Sequence, residues 1–157
     1  MSTDQACVSS RANQFFYFQR LMAILSTGLE KLSHFALAPT AQRTADLDGT
    51  AVDLNDYEGD VVVILDVENG GTSTLDVKLQ SSDTQGGSYT DVTSVFSLNG
   101  TEQASAAVAF AQVSTTASKQ YLVFPKGSAK RWVKAVSTTS TSTHTYSINA
   151  LGPKKYA

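Results

Sequence analysis

The residues of this chain with the most obvious chemical potential are six carboxylates within one 15-residue stretch. Calcium takes several oxygen ligands from a single turn, which such a stretch could supply. The EF-hand spacing fails, because a loop that begins at Asp46 places Ala51 at the required glycine and Tyr57 at the required glutamate. Aspartate also punctuates turns between strands by bonding to the local backbone. We therefore predict turns here and no metal site; the six residues are Asp46, Asp48, Asp53, Asp56, Glu58 and Asp60.

The two histidines, His34 and His144, are the next residues that could act in catalysis. A nucleophile requires a base beside it, and His34 falls in an apolar N-terminal segment while His144 falls in a Ser/Thr-rich one. With Cys7 as its single cysteine, the chain lacks a zinc ligand set and a disulfide framework. Neither a P-loop nor a GxGxxG element occurs. The sequence predicts a protein that is not an enzyme and takes no cofactor.

Aromatic side chains could instead stack on sugars or bases. Trp132 follows Lys130 and Arg131, which would suit an anionic glycan or a single strand of nucleic acid. Alternation along a strand favours a different interpretation, in which Trp132 is a core residue between exposed Arg131 and Lys134. The aromatic residues considered are Tyr57, Tyr89, Tyr121, Trp132, Tyr146 and Tyr156.

The length and net charge of the chain limit the remaining classes of protein to which it could belong. A chain of 157 residues suits one domain with a sizeable core plus an arm. The net charge of -2 and the lack of an extended basic stripe argue against a nucleic-acid partner. No apolar run of about 18 residues occurs, so no membrane-spanning helix is expected.

From Ala45 onward the chain reads as short strands separated by turn signals. The most regular stretch, 57–84, combines a β-branched run with an alternating segment, and Asn69-Gly70-Gly71 between them predicts a hairpin. Evenly spaced short strands are typical of a sandwich or barrel. The predicted strands are 50–54, 60–67, 75–80, 89–96, 106–113, 120–124, 131–137 and 145–151. The predicted core is Phe96, Val108, Phe110, Val113, Leu122, Phe124, Trp132, Val136 and Ile148.

The first 38 residues follow a different pattern. Their apolar side chains recur at spacings of three and four, which is helical periodicity. Gly28 and the capping-box spacing of Thr27 and Glu30 break this pattern, so we predict one helix over 13–25, further turns over 29–35 and a linker over 39–44. An alternative takes Met22 as the start, with 1–21 an upstream extension. The apolar residues are Phe15, Phe18, Met22, Leu25, Leu29 and Leu32.

Several motifs in the β portion resemble small structural proteins of tailed bacteriophages. The matching runs lie between residues 45 and 156 and combine strand and turn patterns. They are DGTAVDL (48–54), YEG (57–59), LDVKLQSSD (75–83), YTDV (89–92), KRWVKAV (130–136) and GPKKY (152–156). The resemblance implies a virion component, and in particular head decoration, because such proteins are often encoded beside the major capsid protein.

Together, the strand pattern and the resemblance predict an all-β protein. We expect a jelly-roll-like antiparallel β-sandwich of about eight strands over 45–157, preceded by a helical or extended arm and linker over 1–44. The expected function is capsid decoration at capsomer junctions on the virion surface, as a homotrimer that binds the major capsid protein. The alternatives are a glycan-binding module of a head or tail fibre, carried by Trp132, Tyr146 and the Ser/Thr-rich tip, and a head-to-tail or tail component. The expected capsid or subunit contacts are Phe15, Phe16, Phe18, Leu25 and Leu29.

Overall fold

The structure, a computed structural model, describes residues 31–69, 72–139 and 143–156. These residues form eleven strands and one short 3-10 helix, Lys126–Ser128. Eight of the strands have six or more residues and three have two. The strands are β1 Leu32–Arg43, β2 Leu47–Asp48, β3 Val52–Asp53, β4 Asp60–Asn69, β5 Leu75–Ser82, β6 Thr90–Asp91, β7 Thr93–Leu98, β8 Thr101–Ala107, β9 Ser118–Pro125, β10 Trp132–Thr139 and β11 His144–Pro153.

The described strands form two antiparallel sheets that enclose one main core. The six-stranded sheet has the order β1-β11-β4-β9-β7-β8, and the five-stranded sheet contains β2-β10-β5-β6 with β3 paired to β10. Chain segments cross repeatedly from one sheet to the other, so β1-β11-β4-β9 lies against β2-β10-β5-β6 as in a double-sheet jelly roll. The β7–β8 hairpin widens the first sheet. The predicted all-β jelly-roll sandwich is confirmed.

The predicted hairpin over 57–84 is wrong, although both of its strands exist. β4 pairs with β9 and β11, whereas β5 pairs with β6 and β10 in the opposite sheet. The inward residues of both strands are buried, for example Val63 and Leu65 in β4 and Leu75 and Val77 in β5. Consecutive strands that face each other across a core show the same apolar pattern as strands that are hydrogen-bonded, so the pattern does not separate the two arrangements.

The predicted turns over 29–35 and the linker over 39–44 are corrected by β1. Residues Leu32–Arg43 form an edge strand that pairs with β11 and therefore belong to the sandwich. Register shifts between Ala36 and Ala38 and between Ala38 and Ala41 interrupt the ladder where Pro39 lacks an N–H donor. The predicted helix over 13–25 lies outside the described residues.

The predicted strand over 106–113 is displaced. β8 ends at Ala107, and the chain then continues as an extended segment along the edge of β5. The amide of Phe110 donates to the carbonyl of Val77 at 2.9 Å, and the amide of Val113 donates to the carbonyl of Leu75 at 3.0 Å. The apolar residues of this segment lie in the core, and the segment contacts β5 through isolated β-bridges instead of a continuous ladder of hydrogen bonds.

Most of the predicted core is buried, but Trp132 and Val136 are not. In β10 the buried residues are Val133, Ala135, Ser137 and Thr139, whereas Trp132, Lys134 and Val136 face outward and are half-buried. The inward side of β10 therefore carries smaller side chains than its outward side. The interpretation of Trp132 as a core residue is wrong, and the sheet register explains why: Trp132 pairs with Ser82 and Asp53 on the outer surface.

Candidate functional site: the two outer faces of the sandwich

The outer side of the six-stranded sheet is apolar at its centre. Val61, Val63 and Leu65 of β4 point into the core, so Val62 and Ile64 point outward. Most half-buried strands alternate apolar and polar residues, whereas a strand covered on both sides is apolar throughout. Only the centre of β4 departs from this alternation, because its other outward positions are the acidic residues Asp60, Asp66 and Glu68.

The sheet register gathers further apolar side chains beside β4. Val62 pairs with Val123 of β9 and with Leu151 of β11, and Ile64 pairs with Tyr121 of β9 and with the polar Asn149 of β11. Directly paired residues share a face of the sheet, so these five side chains lie side by side across three strands. Tyr121 is 45% exposed, and the other four are half-buried. We call this surface the apolar face; it consists of Val62, Ile64, Tyr121, Val123 and Leu151.

Polar groups border the apolar face. On one side His34 forms a hydrogen bond of 3.2 Å with Asn149, and at one end the Lys119 ammonium lies 3.1 Å from the Asp66 carboxylate. A surface depression of about 330 Å³ adjoins Val123; among the residues that line it are Asp60, Val95, Gly100, Glu102 and Pro125. The apolar centre is thus framed by a polar rim, which is the usual anatomy of a protein interface.

On the outer side of the five-stranded sheet, most of the charged side chains form ion pairs with one another. Arg131 donates three hydrogen bonds to the Asp53 carboxylate, at 2.7, 3.0 and 3.1 Å. These bonds hold the pKa of Asp53 below its usual value. Lys78 and Gln80 both donate to Asp91 at 2.9 Å, and the hydrogen bonds from Gln80 and then Lys78 lower the pKa of that carboxyl.

Two aromatic rings lie among these charges. The Arg131 guanidinium lies 5.6 Å from the centre of the Trp132 ring, and the Lys134 ammonium lies 4.2 Å from the centre of the Tyr89 ring. Lys134 also forms an ion pair with Asp48. We call this surface the charged face; it consists of Asp48, Asp53, Lys78, Gln80, Tyr89, Asp91, Arg131, Trp132 and Lys134. Its cations are matched by carboxylates, so it offers no concentrated charge of one sign.

Three of the crowded carboxylates have structural partners, and one of these partners is local in sequence. The Asp46 carboxylate accepts a hydrogen bond from the amide of Thr139 at 2.8 Å, and the Asp53 carboxylate accepts one from the amide of Asn55 at 2.8 Å. Asp48 pairs with Lys134. In the described ranges, no group of three or more His, Cys, Asp or Glu side chains could hold a metal ion.

The other residues that the sequence suggested as functional differ in exposure and do not form a common site among the described residues. His34 is exposed, whereas His144 is fully buried, and burial lowers its pKa. Tyr146 is also fully buried, with its hydroxyl 2.5 Å from Ser137 Oγ, so it cannot join Trp132 in a glycan site. The predicted contacts Phe15, Phe16, Phe18, Leu25 and Leu29 lie outside the described residues.

The sequence interpretation missed the apolar face. Its signal was present in the uninterrupted run from Val61 to Leu65, which supplies apolar residues to both sides of β4. Tyr121, Val123 and Leu151 join that run only through strand register, which the sequence alone does not reveal. Among the described residues, no helix is long and apolar enough to cross a membrane.

Neither a protein-family model nor a curated protein sequence matches this chain. Solved structures with a related arrangement include the SPBc2 prophage-derived protein YomS, at 14% identity and a TM-score of 0.47 over 77% of this chain and 91% of that one. A chain of infectious bursal disease virus, Gt strain, matches at 13% identity and a TM-score of 0.48, with 80% of this chain aligned to 32% of the viral chain. Eiger TNF from S. frugiperda matches at 8% identity and a TM-score of 0.40, over 80% of this chain and 93% of that one. The neighbours thus include prophage and viral proteins together with a TNF protein, and likenesses this distant do not by themselves assign a function.

Proposed function

We propose that this protein is a structural component of a bacteriophage virion and acts as a capsid decoration protein. The observation that carries the proposal is the apolar face, in which one exposed and four half-buried apolar side chains lie together on the outer side of the six-stranded sheet. A contiguous, partly exposed apolar patch with a polar rim is typical of an association surface. Binding through such a surface requires no catalytic group.

The resemblance of residues 45–156 to small phage structural proteins supplies the setting. A viral shell under internal pressure fails where capsomers meet. A sandwich placed over such a junction adds buried area to both neighbours, and an interface of about 1,600 Å² in total is enough for stable association. Because a shell repeats the same junction by symmetry, modest contacts at each copy become collectively strong.

The partner is the major capsid protein, the location is the outer capsid surface, and the protein is a homotrimer at three-fold positions. The apolar residues of the N-terminal arm anchor the protein to sister subunits or to the shell, since aromatic residues at an interface centre usually contribute most of the binding energy. These residues are Phe15, Phe16, Phe18, Leu25 and Leu29.

The decisive test is binding of the purified full-length protein to shells that lack it. We expect saturable binding at a fixed copy number, density over capsomer junctions in an electron-microscopy map, and a higher temperature of shell disruption. Shells that already carry the protein are the matched control and should bind no more. If the lacking shells show neither saturable binding nor a change in disruption temperature, the decoration role is rejected.

A second candidate function is glycan binding, and the outward orientation of Trp132 favours it. Trp132 lies on the charged face beside Arg131, where a sugar ring could stack. A glycan array with wild-type protein and the Trp132→Ala variant separates the two functions. Wild-type binding that the substitution abolishes supports the glycan module, whereas decoration alone predicts no glycan signal from either protein.

A further inference from the structure

A short segment, residues 39–45, closes one side of the core, and we call it the strap. It includes Arg43, which pairs with His144 of β11 in the six-stranded sheet. Four residues later the chain has reached the opposite sheet, where Leu47 pairs with Ser137 of β10. The strap therefore crosses between the two sheets beside a group of inward polar side chains. These side chains are fully or almost fully buried, and they are Ser137, Thr139, His144 and Tyr146.

Apolar burial contributes little to holding the strap in place. All of its residues except Arg43 are exposed. A register shift between Ala38 and Ala41 interrupts its ladder with β11, and Pro39 has no N–H to donate to that ladder. Segments with few buried apolar contacts open at a lower free-energy cost than the core does. The strap is therefore an element that can open locally.

The Arg43 side chain supplies polar contacts that hold the strap closed. Its guanidinium donates hydrogen bonds to the carbonyls of Pro39 at 2.6 Å, Ala41 at 3.2 Å and Tyr146 at 2.9 Å. It also lies 4.5 Å from the centre of the Tyr146 ring. Because a planar guanidinium carries five N–H donors in a fixed arrangement, it can join three carbonyls at once. Arg43 thus binds the strap both to itself and to β11.

The chain is anchored independently on both sides of the strap. Before it, Leu37 is buried in the core, and the carbonyl of Leu37 accepts a hydrogen bond from the amide of Thr50 at 3.2 Å. After it, the Asp46 carboxylate accepts a hydrogen bond from the amide of Thr139 at 2.8 Å. These contacts do not involve Arg43, so they remain when its hydrogen bonds break. The strap can therefore move without displacing the strands that it connects.

We propose that the strap opens as a unit when Arg43 releases its three carbonyls, while both sheets stay folded. The open state gives solvent access to His144 and Tyr146, which are fully buried in the closed state. Segments that move when a protein binds a partner are drawn from such locally unstable elements. The strap is thus a conformational device at one side of the sandwich, and Arg43 is the side chain that keeps it closed.

The test is chemical modification of the two histidines of the full-length protein with diethyl pyrocarbonate, with each site followed by mass spectrometry. His144 is fully buried and reacts only from an open state, whereas His34 is exposed and reports the reactivity of the reagent. We expect Arg43→Gln to raise the modification rate of His144 by about tenfold, because the closed state loses three hydrogen bonds from a charged donor. The modification rate of His34 should not change.

Arg131→Gln is the matched control, since Arg131 also donates three hydrogen bonds and lies near an aromatic ring, but on the charged face. Urea unfolding followed by circular dichroism gives the free energy of unfolding of each variant. Local opening predicts that Arg43→Gln raises the His144 rate by more than its loss of unfolding free energy accounts for, whereas Arg131→Gln does not. If the His144 rate follows the free energy of unfolding in both variants, the residue reacts only after global unfolding and the proposal is overturned.

Hydrogen exchange locates the opening along the chain. In Arg43→Gln the amides of residues 40–45 should lose protection by about tenfold, while those of β4 and β9 keep theirs. Arg43→Lys retains the charge but cannot join three carbonyls, so it should show the same pattern. Loss of protection spread over both sheets, or no loss in the strap, overturns the proposal. These measurements use purified protein without shells, so their outcome is independent of the decoration role.

Discussion

The hydrogen bond between Tyr146 and Ser137 offers a sharp test of how the two sheets are held together. Tyr146 belongs to β11 in the six-stranded sheet and Ser137 to β10 in the five-stranded sheet. Their oxygens lie 2.5 Å apart, and both residues are fully buried. The bond therefore crosses the core between strands that are consecutive along the chain but lie in different sheets.

The expected energies follow from burial. Tyr146→Phe leaves the Ser137 hydroxyl without this partner, and Ser137→Ala does the same to the Tyr146 hydroxyl. A buried polar group that loses its partner costs about 1–3 kcal/mol, whereas removing both groups together costs much less than the sum. We expect each single variant to lose about 2 kcal/mol of unfolding free energy. The double variant should lose about the same amount as either single variant, giving a coupling energy of about 2 kcal/mol in magnitude.

Urea unfolding followed by circular dichroism measures these values. With a denaturant slope of about 2 kcal/mol per molar, each single variant should lower the midpoint by about 1 M without changing the slope. Tyr156→Phe is the matched control, since Tyr156 is 83% exposed and its loss should fall within about 0.5 kcal/mol. Additive losses in the double variant would refute the reasoning, because they would mean that the two hydroxyls do not satisfy each other.

Other predictions concern backbone packing and pH. Gly49→Ala would place a Cβ 2.6 Å from the carbonyl oxygen of Ala135, so we expect a loss of at least about 1–3 kcal/mol in thermal or urea unfolding, whereas Gly86→Ala, with open space around it, should be nearly neutral. Burial lowers the pKa of His144 from 6.5, so the unfolded chain binds a proton at this side chain more readily than the folded protein does. The contribution of His144 to the free energy of unfolding is therefore fully present above pH 6.5 and decreases below it, by at most about 1.4 kcal/mol per pH unit. His144→Gln should flatten the pH dependence of the urea midpoint between pH 7.5 and 5.5; a slope equal to that of the wild-type protein would contradict this. Asp53 has a lowered pKa, so its contribution is present above pH 3.8 and is lost as pH falls through its folded value; Asp53→Asn should weaken the acid-side decline.

Strand identity could be predicted from the sequence where one side of a strand alone is buried. In β5 the buried Leu75, Val77 and Leu79 alternate with polar residues, and that period identifies a strand without further information. In β1 the spacing of apolar residues led to a wrong prediction. Leu29 and Leu32 continue the helical spacing of the preceding residues, yet Phe35 and Leu37 follow a period of two, and pairing with β11 decides the outcome.

Sheet register limited the prediction further. Trp132 and Val136 are large apolar residues of β10, but they face outward, and the residues that β10 turns inward are Val133, Ala135 and Ser137. The pairing with β5 and the hydrogen bond between Ser137 and Tyr146 fix that choice. Both are contacts between residues distant in sequence or in different sheets, so no local pattern in β10 could reveal them. A shift of the strand register by one residue exchanges all inward and outward side chains. Trp132, which was expected in the core, therefore lies on the charged face.

The run from Val61 to Val67 links the fold to the candidate site. In a jelly roll each sheet gives one side to the common core, so a strand needs apolar residues only at alternate positions. Val62 and Ile64 exceed that requirement, and the core does not use them. They lie where register adds Tyr121, Val123 and Leu151. Five apolar side chains from three separate strands meeting at one outer surface are better explained by contact with another protein segment than by the needs of folding, because folding is satisfied by the opposite side of the same strands.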